Sequence, residues 1–179
     1  MIEADVWRAI IVVLRTGLDD QGLNDVTIHQ NYQPIKQGPD TARSIYLHKI
    51  ISKRIGHQGR KHVYNSGNSN FDVQEKSWRG VTIQLMSLVS QDIDDEDSLT
   101  AYDIADTCSM ILQSMSAIKE LKTYGLSTEI VRDINQTFPL DDKDQFDLDP
   151  TFDFILLYEQ TLSSTVPKVD TVEADIKRI

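Results

Sequence analysis

Residues 43–65 are the segment that most constrains how this chain can fold. Apolar side chains and lysines share its odd-numbered positions: Ile45, Leu47, Lys49, Ile51, Lys53 and Ile55. A period of two is typical of a β-strand, in which alternate side chains lie on one face of the sheet. Because a lysine is almost never fully buried without a partner, this face cannot be buried along its whole length. We therefore predict a long strand whose distal half projects from the domain.

The same segment predicts a β-hairpin. The stretch Gly56-His57-Gln58-Gly59 has the composition of a turn, so residues 43–55 and 60–65 become the two arms. Between Arg43 and Phe71 there are six cations and no acid, although the whole chain has 28 acids, 18 cations and a formal charge of −10. The predicted hairpin is therefore a basic arm on an acidic protein.

Helices and further strands account for most of the remaining chain. Hydrophobic periodicity predicts helices over residues 2–16 and 100–124, and strands over residues 25–32, 73–90, 127–136 and 152–162. Gly17 and Gly125 follow the last turns of the two helices, and Thr100 with Asp103 matches a capping box. This order predicts an α+β fold with a mostly antiparallel sheet and a long projecting hairpin, packed against an N-terminal helix and a long central helix.

A chain of 179 residues is about the size of one domain. We predict a single α+β domain over residues 1–166, with the basic excursion at 43–65. Residues 167–179 are predicted to be a tail that is mobile or bound to a partner. Glu3 and Asp5 occupy positions where a signal peptide carries cations, so we expect neither export nor a membrane anchor.

The basic arm and two acidic loops supply the candidate interaction residues. The basic candidates are Lys49, Lys53, Arg54, His57, Arg60 and Lys61, and the candidates for an acidic rim are Asp94, Asp95, Glu96, Asp97, Asp141, Asp142 and Asp144. Opposite charges on different parts of one chain favour head-to-tail association of identical subunits, which can close into a ring. We predict that the basic arm of one subunit meets the acidic rim of the next.

The search for catalytic chemistry finds no site. The sequence has no glycine-rich dinucleotide or triphosphate motif, and the spacing of His48, His57 and His62 fits no common zinc site. Cys108 lies on the apolar stripe of the central helix with no histidine near it in sequence, which favours a small core residue over a nucleophile. We expect no catalytic residue, no metal and no cofactor, and a structural or binding protein rather than an enzyme.

Single-stranded nucleic acid is an alternative ligand of the basic arm. Its cations would contact phosphate groups, and Tyr46 and Tyr64 would stack on bases. Both tyrosines lie at the base of the predicted hairpin, its tip has no aromatic residue, and the net charge repels nucleic acid. Self-association is therefore preferred, with DNA as a secondary target of the same cations.

Four stretches of the sequence resemble the tail-terminator, or neck gateway, proteins of long-tailed bacteriophages and prophages. They are "QNYQPIKQGPDTARSIYLHKI", "SWRGVTIQLMSL", "SLTAYDIADTCSMILQSMSAIKELKTYGLS" and "DPTFDFILLYEQT". The resemblance is one of pattern and order, and it covers roughly residues 1–165.

That resemblance implies an α+β subunit of a hexameric ring at the head-proximal end of a tail tube. The ring would stop tube growth, contact tube and sheath proteins, meet the head connector proteins, and let DNA pass through its lumen. It implies a location in the virion after synthesis in the host cytoplasm, and no catalytic residues. The basic candidates then become inter-subunit or lumen-facing contacts. A head-completion or adaptor protein of the same neck is the nearest alternative, because such proteins share ring symmetry.

Overall fold

The computed structural model describes residues 3–30, 43–67, 70–89, 99–137 and 149–167. In chain order its elements are α1 (Glu3–Asp20), β1 (Thr27–Gln30), β2 (Ser44–Asn65), β3 (Asn70–Leu88), α2 (Ala101–Gln113), α3 (Met115–Thr123), β4 (Leu126–Val131), β5 (Asn135–Thr137) and β6 (Asp149–Pro167). The predicted α+β class is confirmed.

The described strands form one sheet of six strands. Their order is β1-β2-β3-β6-β4, and β5 pairs with the first residues of β6. β1 lies parallel to β2, whereas the other four strand pairs are antiparallel. The sheet is therefore mostly antiparallel, as predicted.

The helices pack on one face of the sheet, which we call the helix face; the opposite face is called the far face. Alternate residues of the three central strands point to the helix face and are buried in one core with the apolar stripes of the helices: Ile45, Leu47, Val81, Ile83, Leu85, Phe152, Phe154 and Leu156. Strand alternation sends the residues between them to the far face. The described part of the fold therefore has two layers, one of helices and one of sheet.

α1 is longer than predicted, because Gly17 does not end it. The apolar stripe continues to Leu18, which is fully buried, and the helix ends at Asp20. A β-carbon at Gly17 would lie only 2.4 Å from Cγ2 of Ile111 in α2. The glycine thus allows two helices to approach each other closely. Gly125, with φ of 70°, does follow the last turn of α3 as predicted.

The predicted central helix of residues 100–124 is two helices, α2 and α3. The predicted capping box is present: the backbone N–H of Thr100 donates to the carboxylate of Asp103 at 2.9 Å, and the Asp103 N–H donates to the Thr100 hydroxyl at 3.2 Å. At Ser114 the backbone is extended, and the Ser114 hydroxyl accepts a hydrogen bond from the N–H of Ala117 at 3.2 Å. A serine that caps a new helix competes with continuation of the old one, which explains the break.

The prediction of a hairpin turn at residues 56–59 is wrong. β2 runs as one strand over all 22 of its residues and pairs with β3, so the hairpin consists of β2 and β3. Gly56–Gln58 instead form a bulge in β2, in which three residues lie opposite the single residue Ser77. Gly56 has φ of 71°, which a bulge can require as well as a turn does.

The other strands differ from their predictions mainly at their ends. β3 begins at Asn70, earlier than predicted, and the strand predicted over residues 127–136 is divided into β4 and β5. β6 extends beyond the predicted end at residue 162 to Pro167. The predicted tail thus begins on the last residue of a strand, and residues 168–179 lie outside the described ranges. The predicted domain boundary at residue 166 stays a prediction.

Gly17→Ala is expected to lower the free energy of unfolding, even though alanine favours helix formation. The new methyl group overlaps Ile111, and overpacking of this kind costs about 1–3 kcal/mol against a gain of about 1 kcal/mol in helix propensity. In an Ile111→Ala background, which removes the overlapping atoms, the same substitution should be stabilising. Urea unfolding followed by circular dichroism measures both effects, and equal effects in the two backgrounds would contradict this account of the contact.

Candidate interaction surface

Three strands extend beyond the helices as an antiparallel ribbon. The ribbon consists of Ile50–Asn65 of β2, Asn70–Arg79 of β3 and Glu159–Pro167 of β6. β4 pairs with β6 only as far as Tyr158. Every residue of β2 from position 50 to position 64 is exposed. The prediction that the distal half of this strand projects is therefore confirmed, although the strand belongs to a different hairpin.

The candidate cations lie on both faces of the sheet. Paired residues of antiparallel strands point to the same face, and the register divides the cations into a helix-face set of Lys49, Arg54 and Arg60 and a far-face set of Lys53 and Lys61. The alternation of faces along β2 shifts at Ile50, an extra residue that has no partner in β3. The expectation that Lys49 and Lys53 share one face is therefore wrong, because the sequence pattern gave no sign of this bulge.

Two of the candidate cations have partners within the chain. Nζ of Lys49 donates to Oε1 of Glu3 at 2.6 Å, at the start of α1. Nε of Arg60 lies 2.8 Å from Oε1 of Glu75, its direct partner across the strands. His57 lies exposed in the Gly56–Gln58 bulge. Within the described ranges, no ion pair involves three of the cations, which are Lys53, Arg54 and Lys61.

The far face of the ribbon carries an exposed apolar patch that the sequence analysis did not single out. Ile55 and Trp78 are direct cross-strand partners and are 43% and 51% exposed. A β-carbon at Gly80 would lie 3.0 Å from Cδ1 of Ile55 and 3.4 Å from Cδ2 of Leu157, so both side chains lean over this glycine. A tryptophan beside aliphatic side chains is typical of the energetically important part of a protein interface.

The distal end of the ribbon has an aromatic pair on the helix face. The ring centroids of Tyr64 and Phe71 lie 5.3 Å apart, and the two residues are direct partners. The predicted turn at residues 56–59 would put Tyr64 at the base of a hairpin, not at its distal end. The stretch Asn65-Ser66-Gly67 next to the pair is the signal that could have located the true tip.

The seven acidic candidates of the two loops lie outside the described residues. The acidic rim at positions 94–97 and at positions 141, 142 and 144 therefore stays a prediction. The contrast between a basic segment and an acidic chain is a property of the sequence alone.

Other kinds of site are not found in the described residues. No group of three or more histidine, cysteine, aspartate or glutamate side chains there could hold a metal ion. Cys108 is fully buried in α2, and burial raises the pKa of its thiol to about 12. A buried thiol of this kind is unreactive, as in a structural core residue. Within those same ranges, no helix is both long enough and apolar enough to cross a membrane.

Comparison with protein families gives one match. The family model described as "E217 gateway protein gp29" matches residues 5–168. This range includes the ribbon and all of the helices except the first two residues of α1, and the match confirms the resemblance to neck gateway proteins drawn from the sequence. Comparison with curated protein sequences gives no significant match.

Among solved structures, a similar chain is the sheath/tube terminator of an extracellular contractile injection system, PVC, in its extended state. The TM-score is 0.54 at 9% sequence identity, so the likeness concerns the fold. It covers 100% of this chain and 64% of that chain; this protein therefore spans somewhat less than two thirds of the terminator.

The ion pair of Lys49 with Glu3 gives a pH-dependent prediction. The hydrogen bond from Lys49 lowers the pKa of Glu3 below its ordinary value. The pair therefore stabilises the fold at pH values above that ordinary pKa. The contribution is lost as the pH falls through the lowered pKa, and for such an exposed pair it amounts to less than about 1 kcal/mol. In Lys49→Met, carboxyl NMR titration should give a higher Glu3 pKa. Lys53→Met, on the other face, is the matched control; an equal change in both variants would contradict the pairing.

Proposed function

Because the chain belongs to the E217 gateway protein gp29 family, we propose that it is a structural protein of a phage neck and forms a ring at the head-proximal end of the tail. The family match over residues 5–168 carries this proposal. The fold similarity to a sheath/tube terminator supports a position at the end of a tail. Such a role requires binding surfaces and no catalytic site.

We further propose that the ring is a hexamer built from head-to-tail contacts. The ribbon holds cations that form no ion pair within the described ranges, whereas 28 acids against 18 cations make the chain as a whole strongly acidic. A contact between unlike surfaces of identical subunits closes into a ring when its rotation allows. The exposed pair of Ile55 and Trp78 supplies the apolar area that a contact of charges alone lacks.

In this proposal the ring ends the growth of the tail tube, contacts tube and sheath proteins, and joins the tail to the connector proteins of the head. DNA passes through the lumen without sequence-specific contacts. The protein is made in the host cytoplasm and becomes part of the virion. A head-completion or adaptor protein of the same neck is the nearest alternative, since it would use the same kind of ring.

A second candidate function is the binding of single-stranded nucleic acid. The observation that favours it is the pair of Tyr64 and Phe71 at the distal end of the ribbon, four strand positions from Arg60. Aromatic side chains beside cations can stack on bases while the cations contact phosphate groups. The acidic balance of the whole chain opposes this function.

Neutralising the ribbon cations that form no ion pair with another described residue should weaken the ring. In Lys53→Gln/Lys61→Gln, light scattering and negative-stain images should show rings only at higher protein concentration than for the unmodified chain, by about tenfold if each subunit contact loses roughly 1.4 kcal/mol. Lys119→Gln/Lys122→Gln makes the same charge change on the exposed side of α3 and should leave assembly unchanged. A chain that stays monomeric at all concentrations and does not bind isolated tail tubes would refute the proposed function.

The second candidate predicts a different response. If the ribbon binds single strands, a fluorescent oligonucleotide should bind with an affinity that falls steeply with salt, and Tyr64→Ala should lose roughly 1–3 kcal/mol of binding free energy. Tyr102→Ala, an exposed tyrosine of α2, is the matched control. Equal affinity for all three proteins would rule out stacking at the ribbon tip.

A further inference from the structure

The two outer strands of the ribbon have edges that are unpaired among the described residues. β1 pairs with β2 only from Ser44 to Leu47, and the pairing of β4 with β6 ends at Tyr158. Beyond these points no described strand pairs with the outer side of β2 or of β6. All residues from Gln160 to Pro167 are exposed, as is β2 from position 50 to 64. Each edge therefore presents a row of backbone groups to its surroundings.

The two edges match in length at the distal end. The seven residues Asn70–Lys76 of β3 have Gly59–Asn65 on one side and Thr161–Pro167 on the other. Neither pairing has a register shift over this length, because the bulge of β2 ends before Gly59. Both edges are thus regularly paired with β3 over seven residues, a normal length for a strand that pairs with a neighbour.

Hydrogen bonds near the base show which backbone groups point outward on β6. The N–H of Arg132, just beyond β4, donates to the carbonyl of Asp153 at 2.8 Å, so Asp153 faces away from β3. Because backbone groups alternate along a strand and the β3–β6 register has no shift, Thr161, Ser163 and Thr165 also face outward. Their N–H and C=O groups are available to another strand.

The same alternation applies to β2. The β3 partners of Arg60, His62 and Tyr64 are residues 75, 73 and 71, which face β6. The backbone groups of these three β2 residues therefore face away from β3. Their side chains lie on the helix face, whereas those of the outward residues of β6 lie on the far face.

From Gln160 to Val166, before the proline at its end, the distal edge of β6 lacks the features that normally prevent pairing. Charged side chains and bulges protect edge strands from unwanted partners. β2 has both, but the segment from Gln160 to Val166 has no charged residue and no bulge. A regular, uncharged and exposed edge is a site for the addition of a strand.

We propose that the distal edge of β6 pairs with the distal edge of β2 of a second copy, so that neighbouring ribbons join into one continuous sheet around the ring. This inference rests on the proposed function. β2 and β6 both run antiparallel to β3, so β6 of one copy and β2 of the next run parallel in a ring whose axis follows the ribbon. The contact joins unlike edges and can repeat around the ring, as a head-to-tail assembly requires.

Charge decides against the pairing of β2 with β2, and closure decides against the pairing of β6 with β6. Pairing β2 with β2 of another copy would bring Arg60 and Lys61 close to their own counterparts. Pairing β6 with β6 would form a closed dimer and leave β2 open. Pairing β6 with β2 places these cations beside an uncharged strand and covers both edges.

A proline substitution tests the pairing through the backbone. Ser163→Pro removes an N–H that faces outward and leaves the hydrogen bonds to β3 in place, a position where an edge strand tolerates proline. Rings of this variant should need at least about tenfold higher protein concentration to form. Ser163→Ala keeps the N–H and should form rings as the unmodified chain does. Equal assembly of the two variants, with unchanged circular dichroism, would overturn the proposal.

Cysteine cross-linking tests the same contact without reliance on a destabilising variant. At equal height along the ribbon, Thr165 lies beside Val63 of the next copy, since both are opposite Asp72. Oxidation of rings of Val63→Cys/Thr165→Cys, or of Val63→Cys/Ser163→Cys if the copies are shifted by two residues, should give a ladder of covalent oligomers. Single variants should stay monomeric on a denaturing gel, and the buried Cys108 should not react.

The outcomes separate this proposal from the proposed function. Rings in which neither double variant cross-links would overturn the edge pairing while the ring remains. Covalent dimers of Ser163→Cys alone would replace it by pairing of β6 with β6. Failure to form rings, alone or on isolated tail tubes, would overturn the proposed function and this inference with it.

Discussion

The pairing of β3 with both of its neighbours is the interaction on which the rest of the structure depends. β3 pairs with β2 and with β6 from Asn70 almost to its last residue. Its second half, around Ile83, is buried under the helices, and its first half runs through the ribbon. A three-stranded ribbon with little buried surface is marginally stable alone. Its order therefore follows from strands that continue out of a well-packed core.

The core and the ribbon obey different physical rules. In the core, apolar residues alternate strictly and one face of the sheet is covered by helices, so register and orientation are strongly specified. In the ribbon, stability comes from cross-strand pairs such as Arg60 with Glu75 and Lys76 with Glu159. Exposed ion pairs contribute little each. Side chains that a lone subunit leaves in water, Trp78 among them, are those that the proposed ring would bury.

Much of the fold could be predicted from the sequence, because its signals are local. The capping box at Thr100 and the apolar stripes need only neighbouring residues, and the two lysines in an apolar pattern indicated a projecting strand. Gly17, Gly56 and Ser114 misled the prediction. Locally, Gly17 indicates a helix end, Gly56 a turn and Ser114 the interior of a helix. In the structure, Gly17 lies at a close contact between two helices, Gly56 lies in a bulge, and Ser114 caps a new helix. All the candidate cations except Lys49 lie on the projecting ribbon, as expected, but their division between two faces depends on a bulge that no periodicity reveals.

That division bears on what the basic arm can do. Without the extra residue at Ile50, the period of two would have placed Lys49 and Lys53 on one face, as a binding surface for a single polyanion requires. With it, Lys49 turns to Glu3 of its own chain while Lys53 turns to the far face, toward the patch that contains Trp78. Positive charge is thus distributed around the ribbon instead of forming one stripe. Such a distribution suits an element with neighbours on several sides, as the ribbon would have within a ring, better than one that lies along a nucleic-acid strand on one face.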